Sequence, residues 1–409
     1  MGSVFVRTLV SFFVPCGLPL LAAAVFVYTG IAAQSLPAII HLYPWAVFGG
    51  GMLLAWRFNK SRLVFAILIL ALADRSLHFL VESSTASIRI VDIVYNAVGL
   101  LVPLNLAAFS LVKEKGVLTI RGMLRLSLIL LQPLCIVLIY RNYPDLDIAG
   151  YLGHSFVQVP ALARISLTQP ALLAFFAAFL FLAVRHVLHR DAVASAFFWT
   201  LVSVFIALGF EQLRPVSPVF FATGGLVLAI SVIETSYSMA YLDALTGLPG
   251  RRALKEALLK LGGQYTVAML DIDHFKRFND WYGHDVGDHV LCMIASKIAR
   301  VTGGGKGFRY GGEEFTVIFP CSLLDVIPHV ERLRKTIEAS KFILRGSERP
   351  KEKPEDPATT KKPQRSVSVT ISIGIAERDD RHNTPMKVIK AADNALYRAK
   401  DAGRNRVST

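Results

Sequence analysis

The chain has 409 residues, of which 53% are hydrophobic, and it carries a formal net charge of +14. Its mean hydropathy of +0.48 is far above that of a soluble protein, so we expect part of the chain to lie in lipid. The basic residues are spread between apolar segments, and this pattern disfavours nucleic-acid binding. We therefore predict a membrane protein with basic loops and no nucleic-acid partner.

Apolar segments dominate the chain before residue 236, and most approach the ~20 residues that cross a bilayer. They predict an all-α polytopic membrane domain of about eight spans over residues 1–235. The third segment contains the neighbours Asp74 and Arg75, and we expect each to need its own partner inside the bundle. The eight segments are 8–29, 37–56, 63–81, 93–112, 122–140, 170–187, 192–210 and 217–235.

Every second connection between these segments is basic, and the others are nearly neutral. The positive-inside rule then places both termini in the cytoplasm of a bacterial inner membrane, with membrane lipid as a partner. We expect this half to sense a signal, whose identity the sequence does not specify. His41 and His78 could bind haem on the opposite side, although packing histidines are the favoured interpretation. The basic loop residues are Arg57, Lys60 and Arg62, then Lys113, Lys115, Arg121 and Arg125, then Arg185 and Arg190.

The composition from residue 236 to residue 409 is that of a soluble α/β domain. Alternating or continuous apolar runs predict strands at 265–270, 315–319 and 367–375, and helical periodicity occurs at 251–261, 288–300, 325–339 and 386–399. Between them, residues 346–366 read GSERPKEKPEDPATTKKPQRS, which is rich in proline and charge. That composition cannot bury a core, so we predict a disordered insertion at about 346–366.

Acidic residues occur where the first and second of these strands are expected to meet ligands. Asp271 ends the first strand and Asp273 follows, although Asp273 and Asp288 could each simply cap a helix. In FRYGGEEFTVIFP, residues 308–320, a Gly311–Gly312 turn precedes two adjacent glutamates. One glutamate is expected to meet Asp271 and hold Mg²⁺ beside a triphosphate. With Lys276, Lys400 and Arg404 as phosphate neutralisers, this pattern indicates phosphoryl or nucleotidyl transfer.

Residues 243–407 resemble the GGDEF family of diguanylate cyclases. The resemblance implies a central mixed, mainly antiparallel sheet flanked by helices, and a homodimer that joins two GTP into cyclic di-GMP and two pyrophosphates. Gly250 replaces the family's usual asparagine, for which we expect only a local change of turn. The matching motifs are DALTGLPGRR at 243–252, DIDHFKRFNDWYGHDVGD at 271–288, GGEEF at 311–315, SIGIA at 372–376 and ADNALYRAKDAGRNRV at 392–407.

The resemblance also implies a metal and catalytic set. Mg²⁺, or alternatively Mn²⁺, would be held by Asp271, the backbone carbonyl of Ile272 and Glu313, with Glu314 close by. Glu313 would also be the general base for the 3′-hydroxyl of GTP, and Lys276 would stabilise charge on the transferring phosphate.

A second set implied by the resemblance binds substrate. Asn279 and Asp288 would read guanine, His284 would line the same pocket, and Lys400 and Arg404 would bind the terminal phosphates.

Two alternatives to a membrane-bound cyclase remain open from the sequence. One is a catalytically inactive module that binds cyclic di-GMP or GTP, and the other is a transporter whose GGDEF domain only regulates it.

Product inhibition is expected to be weak. Many members of this family carry an Arg-x-x-Asp inhibitory pair before the signature motif, whereas this chain has Thr302 and Gly305 at those positions. Neither can supply the planar cation or the carboxylate that a product guanine and phosphate would need. We expect initial rates of residues 236–409 to change little when cyclic di-GMP is added. Submicromolar non-competitive inhibition would show that another inhibitory site exists.

Overall fold

The structure is a computed structural model that describes residues 2–29, 37–82, 88–143, 147–158, 160–189, 191–343 and 366–409. These residues form two compact units, Met1–Ser236 and Tyr237–Thr409. The predicted insertion at 346–366 falls, apart from Ser366, outside the described residues and stays a prediction.

Each regular element described in the first unit is a helix, as the apolar segments predicted. Six of the described helices, α3 to α5 and α7 to α9, are long and apolar enough to cross a membrane. The first two predicted spans include residues whose side chains lie outside the described part, so they remain predictions as spans. The helices are α1 (Gly2–Tyr28), α2 (Pro37–Arg57), α3 (Ser61–Glu82), α4 (Ile88–Leu111), α5 (Ile120–Asn142), α6 (Ile148–Leu152), α7 (Gln169–His189), α8 (Ala192–Gly209) and α9 (Ser217–Tyr241).

Small and hydroxyl-bearing residues join α8 to α9. Thr200 Oγ1 donates to the carbonyl of Gly224 at 3.1 Å, and Ser203 Oγ donates to the carbonyl of Phe220 at 2.6 Å. A side chain at Gly224 would lie 3.2 Å from the Thr200 methyl group, so glycine permits this close approach. Helices in lipid associate through such close packing and hydroxyl bonds, because lipid offers no hydrophobic drive.

The charged neighbours of α3 pair with each other, so the prediction of separate partners is wrong. Asp74 is 2% exposed, and its Oδ2 accepts from Arg75 Nε at 2.9 Å and from Nη2 at 2.5 Å. The Arg75 guanidinium also lies 5.0 Å from the Trp45 ring centre. The rings of His41 and His78 contact each other, with centroids 5.5 Å apart.

The second unit contains a five-stranded sheet in the order β2-β3-β1-β6-β7. The first four strands pair antiparallel and β7 pairs parallel to β6, which confirms the predicted mixed, mainly antiparallel sheet. Its strands are β1 (Thr266–Ile272), β2 (Lys306–Gly311), β3 (Glu314–Phe319), β6 (Ile371–Glu377) and β7 (Val407–Ser408), and β4 (Phe342–Ile343) pairs separately with β5 (Ser366–Val367). Its helices are α10 (Arg251–Leu259), α11 (Phe275–Tyr282), α12 (His284–Ile298), α13 (Leu323–Glu338) and α14 (Pro385–Asp401).

Strand β1 is buried on both faces because helices cover both sides of the sheet. Ala268, Leu270 and Ile272 belong to a core that includes α12 and α13 residues, whereas Val267 and Met269 belong to another that includes α10 and α14 residues. The pleat alternates side chains between the two faces. Asp271 therefore lies on the same face as Val267 and Met269, which is the face toward α14.

Three differences between the predicted and the observed elements concern residues of the candidate site. Asp271 lies within β1, which continues to Ile272. Helix α12 begins at His284, so Asp288 lies in its second turn and does not open it. The run predicted as one strand at 367–375 forms β5 and β6, because Thr370 leaves the strand pattern and bonds Asp273 through both its carbonyl and its hydroxyl.

Gly374 sets how closely α14 approaches the sheet. A Cβ there would lie 2.0 Å from the Leu396 nitrogen and 2.2 Å from the Ala392 carbonyl oxygen, both in the α14 backbone. We expect Gly374→Ala to lower the free energy of unfolding by at least about 1–3 kcal/mol, as overpacking does. Urea denaturation followed by circular dichroism measures this. The control Gly262→Ala has no atom within 4 Å of its added Cβ, and an equal loss there would contradict the account.

Candidate active site

The acidic residues converge through the register of two strands. Asp271 in β1 is directly opposite Glu314 in β3, and Glu313 precedes Glu314 in the turn. The face that carries Asp271 also meets the last turn of α14, where Lys400 Nζ lies 2.9 Å from Asp271 Oδ2. The Asp271 side chain is 8% exposed and that of Lys400 is 31% exposed. Asp271 and Glu314 therefore face each other beside one ammonium group, and Glu313 lies in the adjacent turn.

Ionising all three carboxylates together is costly. Burial raises the pKa of Asp271, although the Lys400 ammonium beside it opposes the rise. Burial and then the Asp271 charge raise the pKa of Glu313 and also that of Glu314. Desolvation and like charge both disfavour the anionic form, so the cluster favours additional positive charge.

The turn before the glutamates differs from the predicted Gly311–Gly312 connection. Gly311 pairs with Glu314, so Gly312 and Glu313 form the turn, and of the two glycines Gly312 has the positive φ, at 43°. A register shift between Arg309 and Gly311 moves the turn by one residue. The side chain of Arg309 holds it there, because Nε and Nη2 both donate to the Gly312 carbonyl, at 3.1 and 2.7 Å.

Arg309 also ties this turn to the start of the domain. Its Nη1 donates to Asp243 Oδ1 at 2.7 Å, and Asp243 also accepts from the backbone N–H and the hydroxyl of Thr246. Burial would raise the pKa of Asp243, but the bonds from Thr246 and Arg309 outweigh it and hold the pKa below its usual value. The Asp243–Arg309 ion pair therefore fixes the glycine turn against the DALTG segment. No pattern in the sequence marks either residue as functional.

Asn279 offers an unused acceptor beside α12. Its Oδ1 is buried and makes no hydrogen bond within the described residues. A Cβ at Gly287 would lie 1.9 Å from this oxygen, so glycine makes room for the amide next to Asp288. A buried acceptor without a donor costs free energy, and a ligand with an N–H group would satisfy it.

Three other predicted site residues, Lys276, His284 and Asp288, do not contact the carboxylates. Lys276 lies in the first turn of α11, while His284 and Asp288 lie in the first two turns of α12, and all three are exposed. Within the described part of the chain, none of them is joined to Asp271, Glu313 or Glu314 by a hydrogen bond or ion pair. Because their side chains are exposed, each can meet a ligand from solvent.

Asp273 links β6 to the turn after α14 and caps neither adjacent helix. Its oxygens accept from Thr370 Oγ1 at 2.7 Å, Ser372 Oγ at 2.6 Å and the backbone N–H of Asn405 at 3.1 Å. Helix α11 instead has His274 at its N-cap, without a side-chain bond. Both capping alternatives raised for Asp273 and Asp288 are therefore wrong.

A divalent cation suits this donor set, although the cluster is not a closed cage. Among the described residues, no three His, Cys, Asp or Glu side chains are close enough together to hold a metal ion. Mg²⁺ usually retains water and uses one or two carboxylates together with substrate phosphates, so a closed cage is not required. The raised carboxylate pKa values fit a site that gains a cation with its substrate.

Similarity to known proteins identifies the family of the second unit. The GGDEF family profile, described as diguanylate cyclase, GGDEF domain, matches residues 240–406. Residues 240–406 are a GGDEF domain. The domain is similar to the response regulator PleD of Caulobacter vibrioides, with 38% identity over 43% of this chain and 37% of that protein. It is also similar to the diguanylate cyclase VdcA of Vibrio cholerae, with 36% identity over 41% of this chain and 46% of that protein.

Solved structures of similar sequence include the GGDEF domain of DgcB from Caulobacter crescentus in complex with c-di-GMP. That chain is 34% identical, with a TM-score of 0.35 over 41% of this chain and 95% of its own length. The match spans less than half the length of the curated relatives named above. The family profile begins to match at residue 240, after the helical unit.

The Arg309 contacts should rigidify the turn of the GGDEF domain. Arg309→Gln removes the ion pair to Asp243 and the two bonds to Gly312, each bond worth about 0.5–1.5 kcal/mol net. We expect amide hydrogen exchange at residues 311–315 to accelerate at least about fivefold. Lys306→Gln, which removes a cation from the other end of β2, is the control. Equal exchange in Arg309→Gln and wild type would contradict the assignment.

Proposed function

We propose that this protein is a membrane-bound diguanylate cyclase that condenses two GTP into cyclic di-GMP and two pyrophosphates. The observation that carries the proposal is that Asp271, Glu314 and Lys400 lie together at the C-terminal end of β1 in a GGDEF domain. Similarity to relatives described as diguanylate cyclases supports it. This arrangement places carboxylates that can bind a cation beside an ammonium group that can bind phosphate, and nucleotidyl transfer from a triphosphate requires both.

The reaction is a displacement at phosphorus that occurs twice. The 3′-oxygen of one GTP forms a bond to the α-phosphorus of the other, and the bond between the α-phosphorus and the bridging oxygen breaks, releasing pyrophosphate. The hydroxyl proton passes to a carboxylate, for which we propose Glu313. Lys276 would stabilise the charge that builds on the phosphate oxygens.

The cation would be held by Asp271, the carbonyl of Ile272 and Glu313, with Glu314 beside them. Bound there, Mg²⁺ or Mn²⁺ would neutralise phosphate charge and polarise the phosphoryl oxygens. Lys400 already contacts Asp271, so it is placed to exchange that contact for a terminal phosphate oxygen. Arg404 would bind the same phosphates as a fork of donors.

Guanine recognition would use the pair of helices α11 and α12. The Asn279 amide oxygen would accept from a guanine N–H, and Asp288 would accept from N1–H and the exocyclic amine, with His284 at the edge of the pocket. Adenine lacks both of those donors in that arrangement, so the same groups would discriminate against ATP.

The domain would act as a homodimer, since one active site supplies one GTP and the reaction needs two that face each other. The six candidate spans support a membrane protein. We further propose that it lies in the bacterial inner membrane with both termini cytoplasmic. The helical unit would control turnover in response to its signal.

Removing one metal-binding carboxylate should abolish synthesis. We expect Glu313→Gln and Asp271→Asn each to retain less than about a tenth of the wild-type rate, a barrier increase of at least about 1.4 kcal/mol. Purified full-length protein with GTP and Mg²⁺ is assayed for cyclic di-GMP by mass spectrometry. Asp280→Asn, an exposed acid on α11, is the control. A wild type that forms no cyclic di-GMP would refute the proposed function, and an active variant would refute the role of that residue.

A further inference from the structure

Three consecutive residues after α14 have left-handed backbone conformations. The φ angles are 105° at Gly403, 61° at Arg404 and 44° at Asn405. Glycine adopts such angles freely, but arginine and asparagine do so at a cost that the surrounding structure must cover. A strained arginine next to a carboxylate cluster therefore raises the question of what holds it.

The backbone of this turn is held by Asp273. Asp273 is 7% exposed, and its Oδ2 accepts from the backbone N–H of Asn405 at 3.1 Å. The hydroxyls of Thr370 and Ser372 orient the same carboxylate from β6 and the residue before it. On the other side, the backbone N–H of Arg404 donates to the Ala399 carbonyl at 3.0 Å. Arg404 is thus fixed between a helix end and a buried acid.

The side chain of Asn405 is held by the Arg334–Glu338 ion pair on α13. Arg334 Nη1 donates to Asn405 Oδ1 at 2.7 Å, and Asn405 Nδ2 donates to Glu338 Oε1 at 2.8 Å. Arg334 is 8% exposed, and its Nη1 also lies 2.9 Å from Glu338 Oε2. Both ends of the asparagine amide are therefore bonded to one rigid ion pair.

We infer that Asn405 is a positioning residue for Arg404, and that Asp273, Arg334 and Glu338 form the support that holds it. With the backbone on both sides of Arg404 held in this way, its guanidinium is the part of the residue that is free to bind a phosphate. The support lets Arg404 meet the β- and γ-phosphates of GTP without first ordering the turn. This inference rests on the proposed function, because it assumes that Arg404 binds those phosphates.

The test compares a nucleotide that lacks the β- and γ-phosphates with an analogue that carries them. The full-length protein is titrated with GMP and with a GTP analogue that carries a methylene group between the α- and β-phosphates. Asn405→Gly keeps the left-handed backbone accessible but removes both side-chain bonds. We expect affinity for the analogue to fall at least about fivefold, and affinity for GMP to stay within about twofold. Asp273→Asn, which loosens the turn from the other side, should show the same selectivity.

A double-mutant cycle separates positioning from general stability. If Asn405 acts through Arg404, adding Asn405→Gly to Arg404→Ala should cause no further loss beyond about twofold. Asp401→Asn, an exposed acid at the end of α14, is the control for charge at this end of the domain. Equal loss of GMP and analogue binding, additive losses in the cycle, or no loss at all would overturn the inference. A wild type that binds neither nucleotide would instead refute the proposed function, and the inference with it.

Discussion

The antiparallel register of β1 and β3 places Asp271 opposite Glu314, and this pairing is the constraint on which the candidate site depends. Two carboxylates held together at the edge of a buried strand repel each other, and burial increases the cost of both charges. Gly374 permits α14 to approach the sheet, and Lys400 at its last turn then reaches Asp271. The packing of one helix on one strand thereby supplies the opposing charge.

Two rigid supports surround this cluster. Arg309 connects the glycine turn to Asp243, and Asp273 connects the turn after α14 to β6. Neither support needs to touch a substrate, yet each fixes the backbone of a turn that carries a proposed ligand. Preorganisation of this kind lowers the cost of binding a flexible triphosphate, because fewer groups must be ordered on contact.

Residues that act locally were easier to predict from the sequence than those that act at a distance. Short apolar runs predicted β1 and β3, and the family motifs named Asp271 and Glu313, because both signals are contained in short segments. The Asp243–Arg309 pair joins residues 66 positions apart, and no local pattern indicates that they meet. The sequence alone leaves Asp273 as a possible cap, because a carboxylate before a helix usually caps it. Only the tertiary structure shows that Thr370, Ser372 and Asn405 use its oxygens instead.

The most direct test of a carboxylate cluster built for a cation is to measure how its charge affects nucleotide binding with and without metal. The measurement is the affinity of wild type and Asp271→Asn for the methylene analogue of GTP, first in chelator and then in Mg²⁺. Without metal, removing a negative charge and releasing Lys400 should tighten binding of the triphosphate, whereas with Mg²⁺ the same change should weaken it. The account predicts this reversal of sign. An effect in the same direction under both conditions would contradict it.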